Sequence, residues 1–167
     1  MPEKDQIFSS KAKYDGIFSF KDFYKFCFDW LTEETELNMA ETKYSEKITG
    51  DAKNIDIEWE GYRKLTDYFK FTIKVTFKIL NLKKVEINQG GVKVETNKGS
   101  VEIKVKGTLV HDWEGKFETS GRQKFWRSIY EKWIIPSRID QFENKIISDC
   151  DEFISQAKAF LDLEGKK

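Results

Sequence analysis

Apolar and polar side chains alternate almost without fault from Phe69 to Ile79. Phe69, Phe71, Ile73, Val75, Phe77 and Ile79 point one way, and Lys70, Thr72, Lys74, Thr76 and Lys78 the other. A period of two over such a length predicts a strand with one buried and one wet face. The same period is present on either side. Ala40, Thr42, Tyr44, Glu46 and Ile48 share one face of a preceding strand, and Ile55, Ile57 and Trp59 share a face of the next. Beyond a bend near Asn81 follow Val85 and Ile87, then Val92 and Val94, then Val101, Ile103, Val105 and Leu109. Thr49-Gly50-Asp51, Asn88-Gln89-Gly90-Gly91 and Asn97-Lys98-Gly99 carry turn chemistry between these runs. With a short strand at Tyr14 to Phe18, the pattern predicts a meander of about six or seven antiparallel strands.

Two other stretches have the helical period. Ser19 offers an N-cap with Asp22 three residues on, and Phe20, Phe23, Tyr24, Cys27, Trp30 and Leu31 follow at helical spacing. Phe26 and Phe28 widen that stripe, so the helix is expected to be mostly buried. Near the other end, Phe125, Trp126, Ile129, Tyr130, Trp133 and Ile134 line a helix after Ser120. Pro136 interrupts the pattern, and a stripe from Ile139 through Cys150 to Leu161 resumes, closed by Gly165. The expectation is an α+β domain. A curved antiparallel sheet packs against an N-terminal helix and a long, Pro-kinked C-terminal helix. Residues 1–13 show neither period and read as a flexible tail, with one domain over residues 14–167.

Charge and composition narrow the function. Basic and acidic residues number 29 each, which argues against a general nucleic-acid binder, since such a protein neutralises phosphates with a cationic surplus. Only Arg63, Arg122, Arg127 and Arg138 among the basic residues are arginine, so most positive charge reads as solvated surface. The wet face supports this. An acidic strand with Asp56, Glu58 and Glu60 falls between strands that offer Lys43 and Lys47 on one side and Lys70, Lys74 and Lys78 on the other. Cys27 and Cys150 lie on apolar helical stripes and read as buried thiols. One histidine and no clustered cysteines supply no zinc site, and no cofactor motif is present. No apolar run reaches the ~18 residues of a membrane span. The polar, mixed-charge start has no secretory core, which places the expectation in the cytoplasm.

The order strand, helix, meander, long C-terminal helix resembles the helix-grip fold of the START-type and polyketide-cyclase-like (SRPBCC) superfamily. The resemblance covers residues 14 to 163 and rests on element order, not on a residue motif. It departs in having one helix after the first strand, where that superfamily usually has two, and in the interruption at Pro136. The resemblance implies a cavity for an apolar ligand between sheet and C-terminal helix.

Fourteen Phe, six Tyr and five Trp fit either such a pocket or a filled core. The leading expectation is a non-enzymatic binding domain for an apolar or aromatic small molecule or lipid. Tyr44, Trp59, Phe71, Phe77, Trp126, Tyr130 and Trp133 would line the cavity, with Arg127 beside them and Glu46 as a polar anchor. Glu46 has a plainer reading as a strand-end register change or an ion pair with Arg63 or Arg127. Gly61 suggests a bulge that re-aims Tyr62 and Arg63, or an ordinary strand exit. His111, beside Asp112, opens an irregular loop and lacks a nucleophile with a recognisable elbow. The alternative function is a protein-interaction or assembly module, partnered or homodimeric, that uses the aromatic C-terminal helices.

Overall fold

The long alternation is realised as the inner and outer faces of one strand in a five-stranded antiparallel sheet. The structure, a computed structural model, describes residues 3–66, 68–111 and 136–166. Its elements are β1 (Glu3–Phe18), α1 (Phe20–Glu33), β2 (Asn38–Thr49), β3 (Ala52–Lys64), β4 (Phe69–Gln89), β5 (Val92–His111) and α2 (Pro136–Glu164). The strand order is β1-β5-β4-β3-β2, so the first two strands of the sequence are the two edges of the curved sheet. A helix that joins opposite edges must cross a face, and α1 does so.

Five strands replace the six or seven expected, because two bends are absorbed inside strands. At Asn81, φ is 55°, and the β4–β5 register shifts between Leu80 and Lys83. An asparagine tolerates that left-handed conformation, so the strand kinks without ending. Asn97-Lys98-Gly99 is likewise no turn. Gly99 lies within β5, where an added Cβ would sit 3.0 Å from the Leu80 carbonyl oxygen. Glycine marks a close backbone approach there. The real turn is Gly90-Gly91, with φ of 58° and 86° between the paired residues Gln89 and Val92. Two positive φ values suit the twist of a two-residue hairpin.

Residues 3–13, expected as tail, form most of β1 and pair with β5 from Glu3↔His111 onward. A register shift between Gln6 and Phe8 hides the alternation from a period count. His111 ends β5 as a buried residue and does not open a loop. Gly61 keeps regular register with Met39 and Ile73, so no bulge exists there. Its missing side chain makes room for the Met39 thioether.

The helices behave largely as their stripes require. Ser19 Oγ accepts from the Asp22 amide at 3.4 Å, and Phe23, Cys27 and Leu31 are the buried face of α1. In α2 the buried apolar residues are Ile146, Cys150, Phe153, Ile154, Ala157 and Leu161. Pro136 is the first residue of α2, where a missing N–H costs nothing, and the helix continues unbroken to Glu164. The break or kink expected at Pro136 involves the helix expected before it, which lies outside the described residues. α2 packs on β1, β5 and α1. The apolar row of β4 is therefore shared between the helices. Phe69 meets Phe142 of α2 at 5.2 Å between ring centroids, whereas Phe77 meets Phe23 of α1 at 5.8 Å. On the outer face Lys43 lies opposite Glu58, Lys78 opposite Asp56 and Lys74 opposite Glu60, the alternation of sign expected of a solvated sheet.

Candidate functional site

The residues expected around a cavity divide into three groups. Trp59, Phe71 and Phe77 are core residues with at most 2% of their surface exposed. Tyr44 and Glu46 stand on an open edge strand, Tyr44 with 43% of its surface exposed. Trp126, Arg127, Tyr130 and Trp133 lie outside the described residues. The first group fills its space. The Trp59 ring packs on Phe77 at 4.7 Å, Tyr24 at 5.2 Å and Phe28 at 5.3 Å. The gap left among Phe23, Ile57, Trp59, Phe77 and Ile79 is too small for a water molecule. Between α1 and the sheet, large rings have taken the volume that a ligand would need.

Glu46 is not a buried anchor. It is exposed, accepts a hydrogen bond from the Tyr44 hydroxyl at 2.7 Å, and has Lys53 Nζ at 3.9 Å. It pairs with neither Arg63 nor, among the described residues, any other arginine. Arg63 instead donates from Nη1 to the Thr35 carbonyl at 2.9 Å. The carboxylate that reaches the aromatic layer is Glu41. Its Oε1 accepts from the Tyr24 hydroxyl at 2.7 Å and from the Trp59 indole at 3.2 Å. Strict alternation sends Glu41 to the outer face. A register shift between Glu41 and Lys43 returns it to the inner face with Tyr44, Glu46 and Ile48, and the Thr42 hydroxyl caps the Glu58 carbonyl at 3.1 Å. No residue near Thr42 announces this bulge in the sequence.

Burial, and then the bond to Glu41, push the Tyr24 hydroxyl up to about 12. Burial, and then Glu46, raise Tyr44 as well. Both phenols therefore stay protonated donors at neutral pH, each already committed to a carboxylate. His111 Nε2 lies 2.9 Å from Asp5 Oδ2, with the Tyr68 and Phe69 rings around it. Among the described residues no group of His, Cys, Asp and Glu is arranged to hold a metal ion. No described helix is long and apolar enough to cross a membrane.

What these groups surround is the free side of β2. Among the described residues the strand has β3 on one side and no strand on the other. All but Met39 of its residues are exposed. Beyond the bulge, Lys43 to Thr49 is regular, with Tyr44 and Ile48 on the inner face and Lys43 and Lys47 on the outer. Ile48 has 64% of its surface in water. Glu46 stands between Tyr44 and Ile48 on the inner face, and Ser45 between the two lysines on the outer. Exposed backbone of this kind is a template for another strand. Compared with known families, curated proteins and solved structures, this chain matches none.

Proposed function

We propose that this chain is a protein-interaction module that takes up an extended segment of a partner protein along the free edge of β2. The observation that carries the proposal is β2 itself, twelve residues long, hydrogen-bonded on one side and exposed nearly throughout. Strand addition draws its affinity from backbone hydrogen bonds and its selectivity from alternate side chains, and β2 offers both. The exposure of Tyr44 and Ile48 supports this reading. The helix-grip likeness remains a proposal founded on element order, and strand uptake does not depend on it.

Proline tests the edge directly. Adjacent strand residues point their N–H groups to opposite sides, so one of Ser45→Pro and Glu46→Pro deletes a donor on the free side and the other deletes a ladder bond to β3. Extended peptides selected from a displayed random library on the immobilised chain are the probe. The free-side proline is expected to abolish their binding while leaving the thermal midpoint nearly unchanged. Binding that survives both prolines overturns the reading. So does a small molecule that co-purifies in native mass spectrometry and competes with no peptide.

A further inference from the structure

The register of β2 specifies more than an open edge, because its side chains differ in charge between the two faces. Resting on the strand-uptake reading, we infer that the occupant is an extended segment of a partner protein with acidic side chains on one face and apolar side chains on the other. The acidic residues lie opposite Lys43 and Lys47 on the outer face of the sheet. The apolar residues lie opposite Tyr44 and Ile48 on the inner face.

The sheet already contains a strand that meets half of that description. On the occupied side of β2, β3 places Glu58 opposite Lys43 and Ile57 opposite Tyr44, whereas Asn54 lies opposite Lys47 and Lys53 opposite Ile48. Its neighbouring outer residues are Asp56 and Glu60, and its inner residues Ile55 and Trp59. The free side of β2 shows the same Lys43, Tyr44, Lys47 and Ile48 side chains, since side chains stand above and below a sheet and are shared by both neighbours. At Lys43 and Tyr44 a guest strand with an acidic and an apolar residue meets the chemistry that β3 meets, and at Lys47 and Ile48 the same side-chain types extend the pattern.

A second copy of the chain is a poorer occupant. Antiparallel self-pairing about a two-fold axis through Ser45 sets Lys43 against Lys47. An axis through Glu46 sets Glu46 against its own copy, and one through Lys47 or Lys43 does the same with lysine. Like charges directly opposite one another are unfavourable. An axis through Tyr44 drives the pairing into the irregularity between Glu41 and Lys43. The charges that favour an acidic partner thus also discourage β2 from pairing with itself, a known way of guarding an edge strand.

The probes are two cyclised β-hairpin peptides whose free strand spans Lys43 to Thr49. One carries glutamate opposite Lys43 and Lys47 and valine opposite Tyr44 and Ile48. The other differs only in carrying lysine for glutamate. Binding to the full chain is measured by fluorescence anisotropy at low and at high salt. The inference expects the glutamate hairpin to bind roughly tenfold more tightly than the lysine hairpin, from two cross-strand charge pairs. Salt is expected to shrink that preference. Lys43→Glu combined with Lys47→Glu is expected to invert it. If both hairpins bind equally, and proline on the free side of β2 abolishes both, the edge reading stands and the charge inference is overturned. If neither binds, and peptides selected from a random library ignore the proline, both readings fall. A concentration-dependent dimer lost on the same proline substitution identifies a second copy as the occupant and also overturns the inference.

Discussion

The two edges of the sheet are built from strands of similar length and end in different states. In β1 the inward side chains Phe8, Ala12 and Tyr14 are half-buried, because α2 packs over that side of the sheet. Its lysines Lys11 and Lys13 lie 3.3 and 4.0 Å from Glu102 on the neighbouring strand. In β2 the equivalent inward residues Tyr44 and Ile48 are exposed. The difference follows from what each helix can cover. α1 crosses from β1 to β2 in fourteen residues, about 21 Å, and its buried stripe ends over Trp59 and Phe77. α2 has twenty-nine residues and spends its apolar face on β1, β5 and α1. Among the described residues the β2 edge is left open, and its side chains are exposed on both faces.

Core truncations separate the two regions most sharply. Phe153→Ala, on the buried face of α2, and Trp59→Ala, under α1, each remove a fully buried ring and are expected to cost ~3–5 kcal/mol in urea unfolding. Tyr44→Ala on the open edge is expected to stay within ~0.5 kcal/mol. A comparable loss at Tyr44 would mean that the edge is part of the core.

The second effect concerns the covered side. At Gly107 in β5 an added Cβ would come within 2.8 Å of both Cys150 Sγ and Ile146 Cγ2 of α2. Gly107→Ala is expected to cost ~1–3 kcal/mol, as an overpacked contact does. The same unfolding series measures it, and Gly50→Ala in the β2–β3 turn serves as the contrasting case. No atom lies within 4 Å of a Cβ there, so its cost comes from its φ of 64° alone.

Smaller shifts come from titration. Tyr24 is raised above its ordinary value to about 12, so the folded state holds its proton where the unfolded chain releases it. The resulting stability is complete below about pH 10 and is lost as pH rises towards 12. Glu41→Gln removes the charge but leaves the burial, the larger cause, in place. Unfolding midpoints between pH 9 and 12 should therefore fall less steeply in the variant than in the parent, without the slope vanishing. The thiols give a qualitative counterpart. Burial raises Cys27, and raises Cys150 to about 12, so both are expected to resist a thiolate-dependent reagent until the helix layer opens.

The comparison of edges also shows what could be read in advance. The α+β class, the Ser19 cap, the stripe of α1 and the inner row of β4 all follow from local periods, which survive because packing agrees with them. The bend at Asn81 follows too, but that it lies inside one long strand does not, and Asn97-Lys98-Gly99 reads as a turn although it is continuous β5. Ile7 and Thr42 sit in register shifts, and a period count cannot see a single inserted residue. That is why residues 3–13 of β1 read as a tail and why Glu41 does not read as the carboxylate of the aromatic layer. Which strands are edges is a property of pairing order. It left the open side of β2 illegible even though Tyr44 was singled out.

Residue-by-residue amide exchange, with and without the glutamate hairpin, tests the central claim most directly. The account predicts that binding slows the alternate amides of Lys43 to Thr49 that face the free side, and leaves those of Lys11 to Tyr14 in β1 unchanged. Equal protection of both edges, or protection confined to α1 and α2, would contradict it.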